Sequence, residues 1–230
     1  MDHFKYIYNN MSFEYHRMIE HEDVDDNLSN LIRELLPLDT KSILDIGTGS
    51  GRIPLLLPKK NTHVVGLDLY WDMLMENVRQ RSIHSGSWLL LQSNAELLPL
   101  STECFDVITA GWALGHSCSW HSDWLIRLDK ILTEMHRVIR SRGVMIIMET
   151  LTTGSDIASP PTKELSDYYD WLEKTWGFTR HEIRTDYKFE DETDAIQNTE
   201  FFFGDQLSDM IRENSWSVVP EWTGVWHKRA

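Results

Sequence analysis

Residues 110–124 read A-G-W-A-L-G-H-S-C-S-W-H-S-D-W and bring His116, Cys118, His121 and Asp123 within eight positions. Each is a chemically able side chain: a metal ligand, a proton carrier or, for the thiolate, a nucleophile. Zinc takes four tetrahedral ligands drawn largely from Cys and His. The spacing H-x-C-x2-H-x-D matches no common zinc pattern, so no metal is expected here. A histidine of near-neutral pKa suits proton transfer. His116 is the first candidate for that role and His121 the second. The competing reading has both rings only shaping a pocket or bonding to backbone.

The elements around this stretch decide what it serves. Apolar runs at 42–46, 63–69, 88–92, 105–110 and 144–149 read as five strands. Helical patterns lie between them at about 52–57, 70–82 and 122–140, and an N-terminal helical stretch at 11–36 is ended by Pro37. Strands apolar on both faces that alternate with helices imply a parallel sheet covered on both sides, a doubly wound α/β domain. Beyond residue 150 the chain reads as a loop at 151–161, a helix from Lys163 to Trp176, a strand over 178–189, a helix at 205–214 and a terminal strand over 216–228. The last two strands are expected to form an antiparallel edge.

The run L-D-I-G-T-G-S-G at 44–51 is a strand entering a glycine turn that opens a helix. Glycine allows the tight turn and a close approach of backbone to ligand, and the helix start offers free N–H groups. A dinucleotide site of the form G-x-G-x-x-G would need glycine at 52, where Arg52 stands. Asp45, two residues before the first glycine, suits an ammonium-bearing ligand better than a pyrophosphate, because the Coulomb term changes sign. Asp68 ends the second strand, where a carboxylate can accept both hydroxyls of a ribose. Asn94 and the N–H of Ala95, in Q-S-N-A-E-L-L-P-L, have the donors and acceptors to meet an adenine edge.

Together L-D-I-G-T-G-S-G, G-L-D-L, S-N-A-E-L-L-P-L, F-D-V-I-T-A-G-W and E-M-H-R-V-I-R-S-R-G resemble the class I S-adenosylmethionine-dependent methyltransferases. The nearest branch is the small-molecule one that includes the ubiquinone- and menaquinone-pathway enzymes. The resemblance spans about residues 40–150. It implies a Rossmann-like seven-stranded sheet of order 3-2-1-4-5-7-6, with the seventh strand antiparallel. It implies that Asp45, Gly47, Thr48, Gly49 and Gly51 surround the methionine and ribose of S-adenosyl-L-methionine. Asp68 would hold the ribose hydroxyls, Leu69 would pack on the adenine, and Asn94 and Ala95 would meet its edge. Ala110 and Trp112 would lie beside the methionine, with 116–123 in the loop above the reacting centre. One departure is Asn94, where the family usually has Asp.

The implied layout is a single domain over 1–230: an N-terminal helical lid at 1–40 carrying Tyr6, Tyr8 and Tyr15, a cofactor-binding core at 41–150, and a substrate-side insertion at 151–215. Trp112, Trp120, Trp124, Tyr168, Tyr169, Trp171 and the run F-F-F-G at 201–204 suit a flat, partly apolar substrate. Glu149, at the end of the fifth strand, reads equally as a ligand contact or a structural acceptor.

Composition narrows the partners. The formal charge is −14, and the densest basic run, Arg137–Arg142, is short, so nucleic acid is not expected. The acid runs at Glu20–Asp26 and Glu190–Asp194 read as solvated surface. Two cysteines give no disulfide framework. No signal-like N-terminus or membrane-length apolar run is present, which makes a cytoplasmic protein with no membrane partner the expectation. The expected activity is methyl transfer to an O, N or C atom of a small molecule. The rivals are a protein or RNA methyltransferase of the same fold, a nucleotide-dependent oxidoreductase, and a non-catalytic cofactor-binding module. The chain has A-G-W-A where many amide- and base-modifying relatives carry N/D-P-P-Y/F.

Overall fold

A computed structural model describes residues 2–57 and 62–230. Three helices come first, α1 (His3–Asn10), α2 (Ser12–Ile19) and α3 (Asn27–Leu35). The core follows as β1 (Ser42–Ile46), α4 (Arg52–Leu56), β2 (His63–Asp68), α5 (Trp71–Ile83), β3 (Leu89–Gln92) and β4 (Phe105–Gly111). Then come α6 (His116–Trp120), α7 (Trp124–Val138), β5 (Ile139–Thr153), α8 (Lys163–Lys174), β6 (Thr179–Arg184) and β7 (Tyr187–Lys188). The chain closes with α9 (Glu192–Phe203), α10 (Asp205–Asn214), β8 (Val218–Val219) and β9 (Glu221–Arg229).

The main sheet has the order β3-β2-β1-β4-β5-β9-β6. Counted within the sheet this is 3-2-1-4-5-7-6, as the motifs implied. β9 runs antiparallel to both β5 and β6, and the other pairings are parallel. Successive residues serve opposite faces, as the two-residue period of a strand requires. Leu44, Ile108 and Ile147 join Leu128, Leu132 and Met135 of α7 on one side. Ile43, Val107 and Ile146 meet Leu28 and Ile32 of α3 on the other. Burying each such side chain stabilises the fold by about 1.5–3 kcal/mol.

Four expectations change. The helical stretch at 11–36 is broken at residues 20–26, where Asp23 (φ 62°) and Asp26 (φ 58°) are left-handed and the Asp23 carboxylate accepts from the N–H groups of Leu28 and Ser29. That acid run is therefore partly structural, and the Glu22 side chain within it is only 1% exposed. The residues read as a loop from 151 continue β5, because β9 pairs with it as far as Thr153 opposite Glu221. The single strand over 178–189 splits at 185–186, and Tyr187–Lys188 pairs with Val218–Val219 in a second, two-stranded sheet. Finally, α9 forms where no helix was read: Asp191 caps it through the N–H of Asp194, and Glu192 and Asp194 suit the positive end of its dipole. Among the described residues, no helix is long and apolar enough to cross a membrane.

Candidate active site

Strand order reverses between β1 and β4, and open α/β sheets bind ligands in the crevice at such a point. β1 ends in the glycine turn. Gly47 has φ +65°, and a Cβ there would overlap that of Ala113, so the turn lies directly against the segment after β4. Beyond it lies a cavity of about 370 Å³. Gly47, Gly49, Asp68, Leu69, Asn94 and Ala95 are on its wall, as are Trp112, His116 and His121.

Asp68 sits at the carboxyl end of β2, buried to 7% exposure. Its Oδ2 accepts from the N–H of Gly49 and its Oδ1 from that of Tyr70, each at 2.8 Å. Burial raises its pKa, and these backbone donors oppose the rise. Each oxygen keeps a lone pair for a ligand hydroxyl. Leu69 presents an apolar face that is 56% exposed. Asn94 is spent partly on its own turn, its Oδ1 accepting from Glu96 N–H at 2.9 Å.

Asp45, Thr48, Gly51 and Ala110 lie behind this wall. Asp45 is fully buried; its Oδ1 accepts from Thr109 Oγ1 at 2.7 Å, and burial pushes its carboxyl up to about 7. Its Oδ2 accepts no hydrogen bond among the described residues. Thr48 is tied through its N–H to Leu67 O. Gly51 (φ +104°) allows α4 to start against Asn77, whose Oδ1 would lie 3.0 Å from an added Cβ. Ala110 belongs to the core beneath.

A second cavity, about 770 Å³, adjoins the first. Tyr8, Tyr15, Trp112 and His116 line both. Trp112 takes a left-handed backbone, φ 49°, with its N–H donating to Met148 O at 2.7 Å. Such a conformation costs about 1–3 kcal/mol in a residue other than glycine and is commonest at functional sites. The Arg52 guanidinium lies 3.5 Å from the centre of the Trp112 ring and 2.5 Å from Glu22 Oε1. Arg52, which breaks the dinucleotide pattern, thus faces the larger cavity instead of the glycine turn. Phe4, Phe202 and Phe203 extend the aromatic wall.

Of the four residues that opened the sequence reading, His116 alone lies where the two cavities meet. Its ring stacks on Trp120 at 4.7 Å, and burial lowers its pKa to about 4. His121 touches only the smaller cavity. The Cys118 thiol is pushed up to about 12, again chiefly by burial. Asp123 is exposed and pairs with Arg127 at 3.0 Å. Glu149 lines the larger cavity with its Oε1 accepting from Gly115 N–H at 2.8 Å, and burial lifts its pKa to about 8. Glu221 was not singled out in the sequence. Its only signal there is that it is the one acid within the terminal strand read over 216–228.

Residues 44–147 match the protein family described as Methyltransferase domain. The demethylmenaquinone methyltransferase of Thermotoga maritima is 27% identical over 149 residues, 64% of this chain and 57% of that protein. The malonyl-[acyl-carrier protein] O-methyltransferase of Legionella pneumophila is 27% identical over 117 residues, 49% of this chain and 37% of that protein. The chain therefore spans about half the length of the curated relatives it matches, or less. The fold is shared with an S-adenosylmethionine-dependent methyltransferase from Aquifex aeolicus, with a TM-score of 0.56 at 16% identity over 89% of this chain and 93% of that one. Over residues 44–147 the chain thus resembles the S-adenosylmethionine-dependent methyltransferases, whose cofactor is S-adenosyl-L-methionine. The smaller cavity fits this cofactor: a glycine turn without room for a Cβ, a strand-end carboxylate and an apolar platform converge on it.

Proposed function

We propose that this protein transfers the methyl group of S-adenosyl-L-methionine to a small, partly apolar molecule held in the larger cavity. The observation that carries the reading is the shared wall. Tyr8, Tyr15, Trp112 and His116 separate a cofactor-sized cavity at the glycine turn from a larger aromatic one. A methyl donor on one side then lies within reach of an acceptor on the other.

When bound, the cofactor supplies a carbon already activated by sulfonium, so the protein's part is orientation and electrostatics. Asp68 accepts from the ribose, Leu69 supports the adenine, and Asn94 and Ala95 meet its edge. Asp45, Thr48, Gly51 and Ala110 support the turn and the methionine end from behind. His116 and His121 are the candidates for handling an acceptor proton. The aromatic rings at the junction exclude water and favour the sulfonium by cation–π attraction. Residues 1–40 act as the lid, since Tyr8 and Tyr15 line both cavities and Phe4 the larger one. Residues 151–215 supply much of the outer wall of the larger cavity.

A small molecule is favoured over RNA by the charge of −14. Two free cysteines, one of them buried, fit a reducing, cytoplasmic setting. Calorimetric titration with S-adenosylhomocysteine, followed by an assay of its formation from S-adenosylmethionine and candidate acceptors, tests the reading. Saturable binding lost in Asp68→Ala supports it; no binding by the intact chain overturns it.

A further inference from the structure

The larger cavity has an electrostatic character that the methyl-transfer reading alone does not explain. Its wall carries two deeply buried carboxyls, Glu149 at 4% exposure and Glu221 at 2%. Arg52, a cation on the same wall, is already matched by Glu22 at 2.5 Å. Among the described residues, neither Glu149 nor Glu221 forms an ion pair. Glu221 Oε1 accepts from Thr150 Oγ1 at 2.7 Å, but its Oε2 accepts nothing among the described residues. Both acids accept hydrogen bonds, Glu149 from Gly115 N–H and Tyr168 OH and Glu221 from Thr150, but neither is matched by a cation, and keeping two such acids beside one cavity points to a basic guest. The raised pKa values of both acids have the same cause: burial dominates, with Glu22 adding repulsion at Glu221.

Around these acids the wall is aromatic. Tyr8, Tyr15, Trp112, Tyr169, Tyr187 and Phe202 line the same space. Ring faces attract cations, and more strongly where water is excluded. A carboxylate guest would find no free cation among the described residues of the wall to answer its charge. A neutral alcohol would fill the space but leave the acids uncompensated.

We propose that the larger cavity takes an amine on an aromatic or apolar body, its nitrogen held by Glu149 and Glu221. The inference rests on the methyltransferase reading and names its acceptor class. Glu149, fixed by Gly115 beside His116, lies towards the junction with the cofactor cavity. Near neutral pH both buried carboxyls hold their protons, so the guest enters as the neutral amine, its own proton left to solvent. The nitrogen lone pair then forms the new N–C bond as the C–S bond breaks and its electron pair stays on sulfur. The positive charge passes from sulfonium to the methylated nitrogen, and the departing cation remains matched to the acids.

The test uses three probes with one ring and chain but different heads: phenethylamine, 2-phenylethanol and 3-phenylpropionate. Each is titrated by calorimetry into the full chain saturated with S-adenosylhomocysteine. The expected result is an amine affinity at least about tenfold above the alcohol and no detectable carboxylate binding. Glu221→Gln and Glu149→Gln should each lower amine affinity about tenfold while S-adenosylhomocysteine affinity stays unchanged. If one variant fails to fold, the other carries the same comparison. Tighter alcohol or carboxylate binding, indifference to both substitutions, or no probe binding to the saturated protein overturns the amine assignment. Failure to bind S-adenosylhomocysteine at all overturns the methyltransferase reading instead.

Discussion

The phenolic oxygen of Tyr8 lies 2.7 Å from Nε2 of His116, joining α1 to the start of α6 across 108 positions of sequence. A second tie runs beside it, from Trp120 Nε1 to Asp2 Oδ1 at 2.9 Å. Burial holds His116 at about 4 and the Tyr8 phenol well above its ordinary value. Near neutral pH the imidazole is therefore uncharged and the phenol keeps its proton, so the two share one neutral hydrogen bond. The pair closes the wall between the two cavities and ties α1 to the core.

From this pair follows the first prediction. Tyr8→Phe and His116→Gln should each lower kcat by about a hundredfold, the low end of an acid–base contribution, with cofactor affinity retained. The pH–rate profile should lack an inflection near 6.5, because the buried ring does not titrate there. Unchanged turnover in both variants would remove His116 from the mechanism.

Asp68 gives the second. Its two oxygens are oriented by the N–H groups of Gly49 and Tyr70 at 2.8 Å, which leaves both aimed at the cavity. Asp68→Asn keeps the shape but replaces one acceptor by a donor facing a backbone N–H. Hydrogen bonds to a charged group contribute about 1.5–3 kcal/mol, so S-adenosylhomocysteine affinity should fall about 10- to 100-fold by calorimetry. An affinity within twofold of the parent would show that the strand-end acid does not hold the ribose.

The sheet and the glycine turn were legible because their signals are local. Ser42–Ile46 and Asp205–Asn214 fall where the pattern put them, and Gly47, Gly49 and Asp68 lie together on one cavity. The larger cavity was not legible in the same way. Glu22 meets Arg52, Tyr8 meets His116, and Thr150 meets Glu221, each pair distant in sequence. An acid run that reads as solvated surface hides one buried member, Glu22, and one that caps a helix, Asp23. The helix at Glu192–Phe203 was missed because its acids serve its first turn and its aromatics serve a cluster with Tyr15 and Met18. Periodicity reports faces of single elements; it carries no information about which faces meet.

Buried titratable groups set the third prediction, on stability. His116 binds fewer protons folded than unfolded between about 4 and its ordinary 6.5, so its contribution to stability rises with pH across that window. Glu149, raised to about 8, and Asp45, raised to about 7, bind more protons when folded. Their contribution is fully present below their ordinary carboxylate values and is lost as pH rises through the folded ones. The terms oppose one another below 6.5, and only the carboxyls act above it. The urea midpoint should therefore fall between pH 6.5 and 8, and Glu149→Gln should flatten that fall. A midpoint that rises across this range would mean these carboxyls are ionised in the folded state.

Arg52 and Glu22 carry the last prediction. Their contact at 2.5 Å is buried on both sides, with the side chains 14% and 1% exposed. Burial opposes the charge on Arg52, but Glu22 outweighs it and the guanidinium pKa is raised. Removing one partner of such a pair leaves an uncompensated charge and costs about 3–5 kcal/mol, whereas removing both can be nearly neutral. Arg52→Met should therefore destabilise strongly, and Arg52→Met with Glu22→Gln should recover most of the loss. The same arginine lies 3.5 Å from the Trp112 ring centre, so the single variant should also loosen the wall between the cavities. Denaturant midpoints of the two single variants and the double form a cycle that isolates the coupling. A coupling energy near zero, with the losses simply adding, would mean that Arg52 is held by Trp112 and not by Glu22.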